Sequence, residues 1–432
     1  MSKGSKGTGK IIAIAALGLV LAIGGKAISA PLEIDSRSKQ RIDGLYSDNL
    51  EAAQFFQQGV SLYRRNKFGE AERALREAVR FDPRMAIAYY LLGNSLLAQN
   101  RMQDAIAQYQ QATALDPNLT EAYYNLGIAF YRAESWDAAA EEFQKAISFD
   151  PNFAPAYYNL GLTLDSQGRS FEATDYYRRA IELDPNNARA YNNLGLIVAR
   201  QGDPEEAIAL LETAVTADPD LAIAHYQLGL LYARGGELEA ALDSLETAVD
   251  IEPSNAAAQY NLGLVLLNLD EPGAATERFE RALALNPNQD EIYEKIGAAR
   301  LQAGNSGGAI ESLEIALNRQ PGNYKLHYNL GLAYQKEERF DEALDQYQRA
   351  LQLNPNSAEA LYNAGIALHR SEQSQTAIGP LQRARSLFQQ QGDLEKSEEV
   401  RQYLEEIVLP AVQPPAREEE SEKVPEEAPE ES

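Results

Sequence analysis

The sequence predicts an all-α protein, a solenoid of repeated antiparallel helix pairs that ends in one further helix. Proline recurs every 34 residues, glycine recurs ten times with the same period, and each period holds two segments with helical spacing of apolar residues. The chain has 432 residues, 44% hydrophobic and 24% charged, which is enough to bury a large core. A folded repeat protein is therefore expected.

Residues 1–30 are expected to direct the chain to a membrane. Lys3, Lys6 and Lys10 precede an unbroken run of 15 apolar or glycine residues at 11–25. As a helix at ~1.5 Å per residue the run spans about 22 Å, which is short of a hydrocarbon core of ~30 Å. Two alternatives stay open, a signal peptide cleaved near residue 30 and a retained membrane anchor.

The charges around this run bear on its orientation. Lys26, Arg37, Lys39 and Arg41 follow the run and balance the lysines before it. Because a short basic N-terminus usually stays inside, the solenoid is placed on the non-cytoplasmic side, in a periplasm or lumen. The alternative is an anchored chain with the solenoid in the cytoplasm. Residues 31–51 are expected to be a linker.

Ten units of 34 residues fill residues 52–391. The closing proline stands at positions 83, 117, 151, 185, 219, 253, 287, 321 and 355. Glycine stands at 59, 93, 127, 161, 195, 229, 263, 297, 331 and 365. Alanine follows each glycine after 12 residues and again after 19 residues in all ten units. A coincidence at three phases is excluded, so the units are true repeats.

Each unit is predicted to form two helices. In the third unit, residues 120–153, two segments with helical spacing flank a polar break at Glu134 and Ser135. A glycine in mid-helix costs about 1 kcal/mol relative to alanine, so ten of them indicate places where a neighbouring helix leaves no room for a Cβ atom. The glycines and alanines are therefore expected at helix crossings.

At these positions the sequence resembles the tetratricopeptide repeat family, whose unit is a 34-residue helix-turn-helix with a closing proline. The resemblance covers residues 52–391 and implies a right-handed superhelical solenoid. Departures occur at Gln58 and Ala364, where leucine usually precedes the glycine, and at Gln389 in place of the last proline. Terminal units are expected to differ because one of their faces meets water.

The C-terminal region is expected to contain a capping helix followed by a tail. Residues 392–409 form the predicted cap, with an apolar face made by Leu394, Val400, Leu404 and Ile407. Residues 410–432 combine proline and glutamate with almost no apolar residues, which is typical of a disordered acidic tail.

The composition leaves little catalytic chemistry. The net charge is −25, which disfavours nucleic acid as a partner, and the absence of cysteine excludes thiolate catalysis and cysteine-based metal sites. A G-x-S-x-G match at 304–308 lies in a predicted turn, and a phosphate-loop match at 4–10 lacks its Ser or Thr. His225, His327 and His369 are expected at the surface or in the groove. We expect no enzyme activity, no cofactor, no metal and no small-molecule substrate.

The candidate binding residues lie just before the glycines of the first helices. Asparagine, a poor residue for a helix interior, recurs there at one phase. The candidates are Asn125, Asn159, Asn193, Asn261, Asn329 and Asn363, with Tyr124, Tyr158, Tyr328 and Tyr362. The resemblance places this phase on the inner surface of the solenoid, where an amide can bond a peptide group in both directions. The alternative is that these asparagines bond neighbouring helices and stabilise their stacking.

The tyrosines and the eighth repeat limit which residues are expected to contact a bound segment. The pattern favours tyrosine rings in the core, with the alternative that their hydroxyls contact a bound segment. Glu294 and Lys295 replace tyrosine and asparagine in the eighth unit, which predicts a partial interruption of the groove. The chain also lacks the paired basic and asparagine residues with which some family members clamp the carboxylate tail of a chaperone.

The predicted function is a scaffold or adaptor that binds extended or helical protein segments and is tethered to, or exported across, a membrane. One alternative is a substrate-recognition subunit for a separate glycosyltransferase, since the asparagine row resembles the repeat arm of the O-linked N-acetylglucosamine transferases. Another is an assembly factor for a membrane protein complex, such as a photosynthetic one. The sequence names no particular protein partner.

Overall fold

The computed structural model describes residues 47–412, and every regular element within them is helical. Six helix pairs form the first compact unit, which ends at Pro253. They are α1 Leu50–Arg64 with α2 Phe68–Phe81, α3 Ala86–Ala98 with α4 Met102–Leu115, α5 Thr120–Arg132 with α6 Trp136–Phe149, α7 Ala154–Ser166 with α8 Ser170–Leu183, α9 Ala188–Gln201 with α10 Pro204–Ala217, and α11 Ala222–Gly235 with α12 Leu238–Ile251.

Four pairs and a C-terminal segment form the second compact unit, which begins at Ser254. The pairs are α13 Ala256–Asn268 with α14 Pro272–Leu285, α15 Glu291–Gln302 with α16 Ser306–Arg319, α17 Tyr324–Lys336 with α18 Phe340–Leu353, and α19 Ala358–Arg370 with α20 Ser374–Gln391. Helix α21 Leu394–Tyr403, a π-helical turn Leu404–Val408 and α22 Leu409–Val412 follow. The predicted all-α class and the succession of helix pairs are confirmed.

Both ends of the chain fall outside the described residues. These parts include the predicted targeting segment at 1–30, most of the predicted linker at 31–51, and residues 413–432 of the predicted acidic tail. Among residues 47–412, no helix combines the length and the apolar content that crossing a membrane requires.

The repeated glycines lie where the two helices of a pair touch. A Cβ atom built on Gly127 would lie 2.7 Å from Cε1 of Phe143, and one on Gly331 would lie 2.6 Å from Cε1 of Tyr347. In every pair the residue facing the glycine stands 16 positions later and is fully buried. These residues are Leu75, Tyr109, Phe143, Tyr177, Leu211, Leu245, Phe279, Leu313, Tyr347 and Leu381. The prediction that the glycines mark helix crossings is confirmed.

Two histidines close the turn between one pair and the next. The Nε2 atom of His225 lies 3.0 Å from the carbonyl oxygen of Pro219, and that of His327 lies 3.3 Å from the carbonyl oxygen of Pro321. His327 is buried, with Nδ1 2.8 Å from Oε1 of Gln346. The expectation of a surface or groove position is therefore wrong for His327, because its ring packs over the closing turn.

The cap differs from its predicted form in one turn. Val400, Leu404 and Val408 are buried, whereas Leu394 and Ile407 are exposed. The predicted apolar face of Leu394, Val400, Leu404 and Ile407 is thus half wrong. Leu394 is the first residue of α21, ahead of the packed part of the helix. For Ile407 the physical reason is the π-helical turn, in which the N–H of Leu409 bonds the carbonyl of Leu404 five residues back. The wider turn moves Val408, rather than Ile407, onto the packed face.

Candidate functional site

The predicted site residues lie in the middle of the first helices of the pairs, where the crossing glycine fixes their position. We call Asn125, Asn159, Asn193, Asn261, Asn329 and Asn363 the ladder asparagines. Each comes two residues before a crossing glycine, and the ladder tyrosines, Tyr124, Tyr158, Tyr328 and Tyr362, come three residues before one. The question for function is which polar atoms of these side chains the protein itself already uses.

One amide hydrogen of a ladder asparagine bonds a tyrosine 35 residues earlier. The Nδ2 atom of Asn159 donates to the hydroxyl of Tyr124 at 2.9 Å, and that of Asn363 donates to the hydroxyl of Tyr328 at 3.1 Å. Asn125 makes the same bond to Tyr90 at 3.2 Å. Each bond links the first helices of consecutive pairs, so it contributes to stacking as the alternative interpretation predicted.

The second amide hydrogen is also occupied. Asn159 donates to the carbonyl oxygen of Pro155 at 3.0 Å, and Asn363 donates to that of Glu359 at 3.0 Å, in both cases one turn back in the same helix. Asn125 instead donates to Oδ1 of Asn94 at 2.8 Å. These three amides have no hydrogen left for a ligand, so the expectation that they bond a peptide group in both directions is wrong.

What remains free is the amide oxygen. Within residues 47–412 no side-chain or backbone donor bonds Oδ1 of Asn125, Asn159 or Asn363, and none of these oxygens is sealed from solvent. An amide oxygen has two lone pairs and accepts hydrogen bonds only. At these three positions the ladder therefore presents acceptors to a bound segment.

Asn193 is held differently because the fifth pair has Asn192 where the second, third and fourth pairs have tyrosine. The Nδ2 atom of Asn192 donates to Oδ1 of Asn193 at 3.0 Å, and Asn193 donates to the hydroxyl of Tyr177 at 3.3 Å. One lone pair of Asn193 Oδ1 remains for a ligand. The Oδ1 atom of Asn192 itself is buried without a donor.

In the second compact unit, the eighth pair has Glu294 and Lys295 at the positions of the ladder tyrosine and asparagine. Glu294 stands 35 residues before Asn329, and no hydrogen bond from the Asn329 side chain is found in the described part of the chain. Lys295 stands 35 residues after Tyr260, so that hydroxyl has no amide donor at the ladder position. Asn261 is buried and donates to the carbonyl oxygen of Ala257 at 2.9 Å.

The ladder tyrosines place their rings in the core. Tyr124 packs on Phe143 with centroids 5.8 Å apart, Tyr158 on Tyr177 at 5.9 Å, and Tyr328 on Tyr347 at 6.1 Å. Burial raises the pKa of Tyr328 to about 12, so its hydroxyl stays neutral at physiological pH. These geometries favour the core position over a direct role of the rings in binding.

Tyr362 ends the row at the cap. Its hydroxyl donates to Oε1 of Glu399 at 3.0 Å, and Nζ of Lys396 lies 3.8 Å from Glu359. Its ring meets that of Tyr403 edge-on with centroids 6.2 Å apart. Helix α21 therefore occupies the place that the first helix of another pair would take.

Sequence reasoning missed an aliphatic row beside the ladder. The residue directly after the crossing glycine follows the ladder asparagine by three positions, so both lie on the same face of the helix. Its partly exposed members are Ile128, Leu162, Leu196, Leu332 and Ile366. The signal was present, since a branched aliphatic residue follows the glycine in eight of the ten units. The ladder face thus combines amide acceptors with apolar surface.

A separate cavity of about 750 Å³ lies at the turns of the third and fourth pairs, beside Trp136. Its polar side chains bond one another, with Gln167 donating to Asp137 at 2.9 Å and Arg169 to Gln167 at 3.1 Å. Within residues 47–412 no group of three or more histidine, aspartate or glutamate side chains is arranged to hold a metal ion.

Solved structures similar to this chain include repeat proteins. The crystal structure of MamA is 30% identical, covers 38% of this chain and 96% of its own, and has a TM-score of 0.36. That of YrrB, described as a TPR protein with an unusual peptide-binding site, is 31% identical, with coverage of 43% and 95% and a TM-score of 0.37. A tetratricopeptide repeat protein from Parabacteroides merdae is 18% identical, with coverage of 58% and 98% and a TM-score of 0.43. No curated protein matches the sequence.

Family models match along most of the repeat region. Models described as tetratricopeptide repeat match residues 56–120, 158–222, 260–324 and 294–337, residues 324–357 and residues 346–379. A model described as TPR repeat matches residues 129–168 and 231–270. Together these matches run across residues 56–379, consistent with a tandem array of repeats. The chain therefore belongs to the tetratricopeptide repeat family, whose members generally serve as protein–protein interaction scaffolds.

Proposed function

We propose that the protein is a scaffold that binds extended protein segments along the ladder face. The observation that supports this is the hydrogen bonding of Asn125, Asn159 and Asn363, whose amide hydrogens all bond other groups of the protein while their oxygens stay free beside the aliphatic row. An extended segment suits this face better than a helix, because the N–H groups of a helix bond its own carbonyls while those of an extended chain are available.

A peptide selection tests this function. The full chain in detergent is panned against a displayed library of random dodecapeptides, and the affinities of the selected peptides are measured for variants. Asn159→Ala should weaken binding roughly two- to tenfold, since one neutral hydrogen bond nets ~0.5 to 1.5 kcal/mol. The control is Asn152→Ala, an exposed asparagine of the preceding closing turn, which should leave affinity unchanged.

A second variant separates binding from stacking. Tyr124→Phe removes the acceptor of one Asn159 hydrogen but leaves the Asn159 oxygen in place. It should lower the free energy of unfolding by about 0.5 to 1.5 kcal/mol with little change in peptide affinity. Selected peptides that bind equally well to the double variant Asn125→Ala, Asn159→Ala would contradict the proposed face.

We also propose that the scaffold is attached to, or exported across, a membrane. The support is the sequence pattern at residues 1–30, a basic start followed by 15 apolar or glycine residues. A retained anchor should make the full chain sediment with membranes, resist carbonate extraction and keep its original N-terminus. A cleaved signal should give a soluble chain that begins near residue 30, and protease protection until the cytoplasmic membrane is broken would contradict the non-cytoplasmic placement.

A further inference from the structure

The spacing of the ladder oxygens restricts the conformation of the segment that binds, and this inference rests on the proposed function. In the first compact unit, Asn125, Asn159 and Asn193 belong to three consecutive helix pairs. The bonds of Asn125 to Tyr90 and of Asn159 to Tyr124 join neighbouring first helices directly. Helices in contact lie ~8 to 10 Å apart, so ladder oxygens recur about once per 8 to 10 Å along the row.

Only some backbone conformations offer donors at that interval. In a β-strand, at ~3.3 Å per residue, N–H groups on one side recur every second residue, about 6.6 Å apart. At that interval they would meet only every second ladder oxygen. In a polyproline II helix, with three residues per turn and ~3.1 Å per residue, they recur every third residue, about 9.3 Å apart. The polyproline II backbone also has no internal hydrogen bonds, so all its N–H groups are free to donate.

We propose that the segment bound by the first unit adopts the polyproline II conformation and donates the N–H of every third residue to Oδ1 of Asn125, Asn159 and Asn193. Hydrogen bonds to three ladder oxygens from every third residue require a segment of seven consecutive residues. The two residues between successive donors need no N–H, so proline is accepted there and favours the conformation. Apolar side chains at the donor positions meet Ile128 and Leu162 of the aliphatic row. The partner class is therefore a proline-rich segment with an apolar residue at every third position.

Synthetic dodecapeptides test the register on the full chain, with binding followed by fluorescence anisotropy of labelled peptides. The probe is (Leu-Pro-Pro)4, which carries a backbone N–H at every third residue. Its matched control has N-methylleucine in place of leucine, which keeps the side chains and removes those N–H groups. A second control, (Leu-Pro)6, places the N–H groups at every second residue.

The proposal expects (Leu-Pro-Pro)4 to bind and its N-methylated form to bind at least about eightfold more weakly, since each of the three lost hydrogen bonds costs roughly two- to tenfold. The (Leu-Pro)6 peptide should bind about two- to tenfold more weakly than (Leu-Pro-Pro)4, because its donors miss every second ladder oxygen and so lose one of the three hydrogen bonds. The double variant Asn125→Ala, Asn159→Ala should lose at least fourfold, while Asn118→Ala, Asn152→Ala, two exposed closing-turn asparagines, should match the parent. Far-UV circular dichroism checks that all variants keep their helices.

Several results would overturn the proposal. Equal binding of the N-methylated peptide would show that backbone donors are not recognised, and equal binding of (Leu-Pro)6 would remove the three-residue register. If (Leu-Pro-Pro)4 fails to bind while library-selected peptides bind and depend on Asn159, the polyproline II conformation is wrong and the proposed function stands. If the selected peptides are also indifferent to the ladder, both fail.

Discussion

At the scale of single residues, one position in each pair sets the turn between the two helices. It recurs with the 34-residue period and takes a left-handed backbone conformation. Four pairs have glycine there with φ between 77° and 92°, at Gly168, Gly202, Gly236 and Gly304. The other six have φ between 56° and 65° without glycine, at Asn66, Asn100, Glu134, Asp270, Glu338 and Glu372. Side chains at this φ carry strain that glycine avoids, so the two groups should respond differently to substitution.

A matched pair of glycines in the eighth repeat tests this. Gly304 has φ of 79° and Gly307 lies in the first turn of α16, and neither would bring a Cβ atom within 4 Å of another group. Gly304→Ala should lower the free energy of unfolding by about 1 to 2 kcal/mol, because only its backbone conformation is unfavourable. Gly307→Ala should raise it by up to about 1 kcal/mol through helix propensity. Urea unfolding measures both, and equal effects would refute the explanation.

Partly buried tyrosines make the stability of the second compact unit sensitive to alkaline pH. Burial raises the pKa of Tyr260 to about 12, helped by Glu291 and Glu294, and burial raises the pKa of Tyr328 to about 12. Unfolded tyrosine titrates near 10, so between pH 10 and 12 the folded chain binds more protons than the unfolded chain. The stabilisation is therefore complete below pH 10 and is lost as pH rises toward 12. Tyr328→Phe should reduce the slope of urea midpoint against pH, and an unchanged slope would contradict the raised pKa.

The ladder asparagines show which features of the candidate site can be predicted from sequence. The phase of Asn159 and its place in a first helix follow from the period, because every glycine and alanine in the unit fixes the register. Which of its atoms are free does not follow, since its partners are Pro155 in its own helix and Tyr124 in another pair. The hydrogen-bond partners depend on the angle between helices of different pairs, and the sequence of a single repeat does not determine that angle.

At the scale of elements, each helix pair is held by a glycine against a large buried residue, and the tightness of this contact varies. A Cβ atom on Gly127 would meet the ring of Phe143 at 2.7 Å, whereas one on Gly195 would first meet Cγ of Leu211 at 3.1 Å. A ring packed in the core cannot move aside easily, while the contacts at Gly195, with Cγ of Leu211 at 3.1 Å and the carbonyl oxygen of Ala207 at 3.3 Å, need shifts of only tenths of an ångström. Sequence alone predicted the crossings but not this difference between them.

Alanine substitutions measure the difference. Gly127→Ala should lower the free energy of unfolding by about 1 to 3 kcal/mol, because it overpacks the contact with Phe143. Gly195→Ala should stay within about 1 kcal/mol of the parent, since improved helix propensity of ~1 kcal/mol offsets a mild contact. Thermal or urea unfolding followed by circular dichroism compares the two. A larger loss for Gly195→Ala would show that the close contacts do not limit stability.

The capping helix could be predicted from sequence, but its buried face could not. Its existence and its buried Val400 and Leu404 follow from amphipathic spacing after the tenth unit. The π-helical turn Leu404–Val408 leaves no mark in that spacing, because Ile407 and Val408 are both apolar and either could face the core. Packing against α20 decides between them, so the face could be fixed only from the structure.

At the scale of the whole molecule, stability in such an array is close to a sum of terms for single repeats and for neighbouring interfaces. Within each compact unit of residues 47–412, each helix packs mainly on the next one in the chain, so no distant element of that unit compensates for a damaged pair. The chain also contains a single tryptophan, Trp136 in the third pair, whose ring meets Tyr131 with centroids 4.9 Å apart. Tryptophan fluorescence therefore reports one pair while circular dichroism reports the whole array.

Two equivalent substitutions should separate these signals in opposite directions. Gly127→Leu forces a large side chain against Phe143 in the third pair, and Gly331→Leu forces one against Tyr347 in the ninth, each costing about 1 to 3 kcal/mol or more. In Gly127→Leu, the fluorescence of Trp136 should change at a lower urea concentration than most of the helical signal, because the pair around it unfolds first. In Gly331→Leu, part of the helical signal should be lost first while Trp136 fluorescence keeps the parent midpoint. Coincident transitions in both variants would mean that the ten pairs unfold as one cooperative block, contrary to a nearest-neighbour array.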